Sequence, residues 1–190
     1  QLSNLLARSR NGRLLVLNVA LESKVHTVTM RQQRELLARV PEMIGDPDLS
    51  IQLLPRLDRT YAQGIIHSAV EQQASLIVMG WRGKATLRES LLGTVLDEVI
   101  WDVDVPVLVG KLGMPVNALR RVSLVIPGNT LPPAAMRRAF AVMAAISHTL
   151  NVPVRVFADT ARLDLLQELV KEEELESQAE LISLEGAVLK

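Results

Sequence analysis

Leu76-Ile77-Val78-Met79-Gly80-Trp81-Arg82-Gly83 is the stretch on which the fold turns. A run of apolar residues without polar alternation is what a strand covered on both faces requires. Glycines follow at once, and after nine intervening residues beyond Gly83 comes Gly93-Thr94-Val95, inside a helix-forming run from Leu87 to Trp101. The apolar Val105-Pro106-Val107-Leu108-Val109 closes the segment. Strand, glycine turn, helix and strand in this order predict a right-handed parallel crossover.

The same alternation extends upstream. Tyr61 to Gln73 reads as a helix with Ile65, Ile66, Ala69 and Val70 on one face, and Ser50 to Leu54 as a short strand. Thr29 to Ile44 carries Leu36, Leu37, Val40, Met43 and Ile44 at helical spacing and ends at Gly45-Asp46-Pro47. Arg13 to Leu21 is nearly all apolar and gives a strand from Leu14 to Val19; Leu2 to Arg10 is a helix stopped by Asn11-Gly12. The expected fold class is α/β, an open parallel sheet sandwiched by helices.

Leu112 to Asn117 has no periodicity and reads as a linker, after which the pattern restarts. Strands at Arg121 to Ile126, Val152 to Phe157 and Ala179 to Leu184 alternate with helices at Pro133 to Leu150 and Arg162 to Glu176. The partition is therefore residues 1–111, a linker at 112–119, and a second, incomplete α/β copy at 120–190.

With 48% apolar residues and 22% charged ones, the 190-residue chain can bury a sizeable core. Acidic and basic residues balance at 21 each, and aromatics are scarce, so neither a phosphate-gripping footprint nor base-stacking platforms point to nucleic acid. The absence of Cys removes disulfides and thiolate metal sites and fits the cytoplasm. No apolar run reaches the roughly 18 residues that span a bilayer. The chain opens on Gln1, which suggests a piece of something longer.

The glycine segment is where chemistry is expected. Glycines let main-chain N–H groups come close to phosphate oxygens, and a hydroxyl such as that of Thr94 adds a donor near a helix N-terminus. Carboxyl ends of parallel strands are where open α/β sheets take ligands. On spacing alone, a phosphate cradle and a turn that binds nothing stand level.

The motif Gly80-x2-Gly83-x9-Gly93-Thr94, framed by Ala74-Ser75-Leu76-Ile77-Val78-Met79 and Val105 to Val109, resembles the closing half of a universal stress protein domain. The resemblance implies the adenine-nucleotide alpha-hydrolase-like fold, with the first strand of the first copy missing from the chain. It implies ATP as ligand, with ADP, AMP and an accompanying Mg2+ left open. Gly80, Gly83, Gly93 and Thr94 would face the phosphates, Met79, Arg82 and Val95 would line the same loop, and Val19 would lie near the adenine. The acid that family members carry at the end of the first strand has no counterpart here; Gly128 or Asn129 stands there in the second copy. The resemblance further implies a homodimer and, from the Gly-Trp-x-Gly form of the loop, a regulatory tail of a bacterial cation/proton antiporter or amino-acid permease. A slow ATPase and a ligand-free assembly module are the competing readings.

Other residues read as ordinary. His26, His67 and His148 lack ligand-type spacing, and the acidic groups Asp97, Glu98, Asp102 and Asp104, and Glu172 to Glu176, read as solvated faces. Trp81 lies inside the glycine loop, and Trp101 is expected in a core or dimer contact.

Overall fold

The computed structural model describes residues 1–24, 27–80, 90–111, 113–126 and 132–184. Arg82, Gly83, Trp81, His26, Gly128, Asn129 and the start of the helix expected from Leu87 lie outside these. The chain divides into two compact units, one of residues 11–113 and one of residues 114–190 joined by most of the N-terminal helix.

In the first unit, β1 (Leu14–Leu21) pairs in parallel with β2 (Ile51–Asp58), and β3 (Ile77–Gly80) pairs in parallel with β4 (Val107–Gly110). The parallel α/β expectation holds, but among the described residues the strands form two separate pairs. The helix expected from Thr29 to Ile44 is two helices, α2 (Thr27–Ala38) and α3 (Val40–Ile44). Pro41 explains the break, because it lacks the N–H that would bond four residues back and fits only the first turn of a new helix. Gly45 ends α3 at φ 64°, the left-handed conformation that a Cβ disfavours.

The strand expected from Ser50 to Leu54 runs on through Pro55 to Asp58. Proline is tolerated because β2 is an edge strand, where one N–H can be spared. Helix α4 (Tyr61–Glu71) starts at Thr60, whose hydroxyl accepts the Gln63 N–H at 3.1 Å. Its buried face is Ala62, Gly64, Ser68 and Ala69, not the larger residues expected; Val70 is 72% exposed. Small residues let α4 lie close against β1 and β2, and α5 (Ser90–Asp102) packs on α4.

The second unit has one parallel sheet in the order β5 (Val122–Val125), β6 (Val154–Ala158), β7 (Ala179–Ser183). Helix α6 (Pro133–Leu150) supplies Met136, Phe140, Met143 and Ala144 to the core at helical spacing, and α7 (Leu163–Glu172) supplies Leu166, Leu169 and Val170. Asn151 at φ 51° ends α6. Helix α1 (Leu2–Ser9) buries Leu5 and Leu6.

Candidate functional site

Gly80 is the last residue of β3 and is exposed. Its φ lies outside the left-handed region, and a Cβ added to it would meet nothing within 4 Å among the described residues. Neither backbone conformation nor crowding among the described residues therefore asks for glycine at this position. Met79 beside it is half-buried. Gly93 and Thr94 fall within α5, and Val95 on the same helix is half-buried.

Val19 lies on β1, paired in register with Arg56. Its methyl groups lie so close to Gly64 of α4 that a Cβ there would sit 2.5 Å from Cγ1. The side chain is thus committed to packing, and what Val19 can offer a ligand is main chain.

A pocket of about 220 Å³ sits over the carboxyl end of β1. It is lined by residues 18–21 of that strand, by Gln32, Gln33 and Leu36 of α2, and by Tyr61 at the start of α4. Leu36 and Tyr61 form an apolar rim, 60% and 44% exposed. Below them Gln33 is only 5% exposed. Its Nε2 donates to Asn18 Oδ1 at 2.6 Å, while its Oε1 is buried without a hydrogen-bond partner. Neither amide is among the residues the sequence singles out. Their link joins a strand to the helix that follows it, a pairing that no fixed spacing announces.

Beside this pocket runs a charged network on β2 and α4. Asp58 Oδ2 accepts from His67 Nδ1 at 2.8 Å and from Arg56 Nε at 3.0 Å, and Oδ1 accepts the Arg59 N–H at 2.9 Å. The His67 contact, then the Arg59 N–H and then Arg56 hold the Asp58 carboxyl down at about 2, against the cost of burial. Arg56 also grips Glu71 with both terminal nitrogens, at 2.6 and 3.0 Å. That bidentate contact lowers the Glu71 pKa and is the main cause raising that of Arg56. His67 thus has Asp58, nine residues upstream on β2, as an acidic neighbour that no helical spacing announces.

Among the described residues no cluster of three or more His, Asp or Glu could hold a metal. Asp97, Glu98, Asp102 and Asp104 are exposed. Trp101 is 84% exposed, which corrects the core reading of that residue. No helix among the described residues is long and apolar enough to cross a membrane.

Residues 55–111, from within β2 to the end of β4, match the model of the universal stress protein family. The match covers that part of the first unit, and the parallel α/β architecture is the one seen in solved universal stress proteins. A universal stress protein from Archaeoglobus fulgidus DSM 4304 superposes with a TM-score of 0.65 at 23% identity, over 95% of this chain and 69% of that one. Among curated proteins, the chain is similar to the Na(+)/H(+) antiporter NhaS5 of Synechocystis sp. (strain ATCC 27184 / PCC 6803 / Kazusa). The two are 30% identical over 119 residues, 59% of this chain, and the match spans 17% of the antiporter.

Proposed function

We propose that the first unit binds an adenine nucleotide, ATP before ADP or AMP, as a regulatory and non-catalytic module on the cytoplasmic side of a sodium/proton antiporter-like transporter. Gly80 carries the nucleotide reading. A glycine that no described neighbour requires, at the carboxyl end of a parallel strand, stands where open α/β sheets take ligands and where phosphate oxygens would approach main-chain N–H groups. The family match over the same strand, and Gly83, Gly93 and Thr94 downstream of it, support the reading. The likeness to a sodium/proton antiporter supports the attachment to a transporter.

Calorimetry with ATP, ADP and AMP, with and without Mg2+, tests this on the wild type and on Gly80→Ala. The variant keeps its unfolding free energy within about 1 kcal/mol, since alanine fits the backbone and open space there. Its affinity for ATP falls at least about tenfold, one step of 1.4 kcal/mol. Failure of all three nucleotides to bind at millimolar concentration overturns the proposal, and steady Mg2+-dependent turnover moves it to a slow ATPase.

The module pairs with a second copy through the face beside β4. Trp101 and Ile100, 84% and 47% exposed at the end of α5, give that face its apolar surface. Sedimentation equilibrium at twice the chain mass, reduced to one chain mass by Trp101→Ser, is the expected result; a wild-type monomer refutes it.

A further inference from the structure

We propose that Gln33 selects the base of the nucleotide by accepting a hydrogen bond from an amine on the base edge. The inference rests on the nucleotide reading above and adds a residue outside the glycine motif.

The argument begins with an unmet group. A buried amide oxygen without a partner is costly, and such groups in folded proteins call for an explanation. Gln33 is 5% exposed, its Nε2 is engaged by Asn18, and Oε1 is left over. The pocket Gln33 lines is the place from which a donor can reach it.

The walls define what kind of donor. Ala20, Leu21, Leu36 and the Tyr61 ring present apolar surface; the polar residues of the lining are Asn18, the buried Gln33 and the exposed Gln32. Few polar groups set among apolar walls is the pattern of a site that orients one ring, and a sugar or phosphate would find too few partners here. A volume of about 220 Å³ is below the roughly 300–1,000 Å³ of clefts that hold whole drug-sized ligands, so it takes one part of the nucleotide. The part that is flat, apolar on its faces and polar at its edge is the base. An amino-bearing base gives Oε1 its missing donor, whereas a base without the amine leaves it unpaired. A site built to hydrogen-bond a group discriminates most strongly against an analogue that lacks it.

The experiment compares ATP with purine riboside triphosphate, which differs only in lacking the 6-amino group, by calorimetry on the full chain. The wild type favours ATP by about ten- to hundredfold, the range for leaving a buried acceptor unsatisfied. In Gln33→Met the ratio falls to near one, through loss of ATP affinity, while binding of the amine-free analogue is held or improved. Equal affinities in the wild type overturn the inference and leave nucleotide binding standing. Failure of both nucleotides to bind removes both readings. The wild-type ratio needs no variant, so the inference stays testable even where Gln33→Met folds poorly.

Discussion

In the second unit, β6 lies between two strands and its Val154, Val156 and Ala158 are fully buried, whereas in the first unit β1 has one strand neighbour among the described residues and, of its eight residues, only Ala20 is buried. Both strands are rich in apolar residues. The difference shows that composition sets what a strand can bury, while its neighbours decide what it does bury. It also separates roles: among the described residues a buried cluster lies between Ile126 and Leu175, while the pocket, the Asp58 network and Gly80 all lie in the first unit.

The largest effect expected is on the closed side of this comparison. Phe140, with no exposed surface among Met136, Met143 and Val156, is the largest side chain of its core. Phe140→Ala costs about 3–5 kcal/mol by denaturant unfolding, the sum of lost burial and residual cavity. A loss below about 1 kcal/mol would show that the two units do not differ in packing as described.

On the open side, Gly64→Ala tests whether α4 is truly pressed onto β1. Alanine would favour the helix by up to about 1 kcal/mol. The Cβ falls 2.5 and 2.9 Å from the two methyl carbons of Val19, which has no flexible end to move aside. We expect a net loss of about 1–3 kcal/mol, reversed in large part when Val19→Ala is added. Additive single and double variants would mean the two residues do not meet.

The smallest effect is the titration of Asp58. Its carboxyl, near 3.8 when free, stands at about 2 in the fold, so the stabilisation it gives is complete above roughly pH 4. As pH drops from there toward 2, the group takes up its proton and that stabilisation is lost. Asp58→Asn removes this part of the acid transition, read as a shallower fall of thermal midpoint between pH 4 and 2. An unchanged profile would show that the contacts to His67, Arg59 and Arg56 do not hold the charge.

The sequence carried the parts of the fold that rest on continuous local pattern. The apolar run before Gly80, the restart after the linker and the helix from Pro133 are visible because each is bounded by its own stop signals. Two prolines were harder to read. Pro41 splits a helix whose apolar spacing continues across it, and Pro55 sits inside a strand where an edge position makes it harmless. Among the candidate site residues, the glycines form a local motif that the sequence alone displays. The Asn18–Gln33 link and the Asp58–His67 contact are not displayed there, because each joins a strand to a helix across a turn, and the spacing is set by the turn and not by helical period. Exposure of Val70 and Trp101 likewise depends on which helix face meets a neighbour, which an apolar residue alone does not specify.

Pro55 has one more consequence. A strand at the margin of a sheet is a template on which another chain can grow, and proline has no hydrogen on its nitrogen with which to hold an incoming strand. Charged Arg56 and Asp58 follow it directly on β2. Recruitment of further copies by strand addition is thereby discouraged on the β2 margin. An assembly that uses a single margin per copy closes on itself at two, where one that used both would extend into a filament.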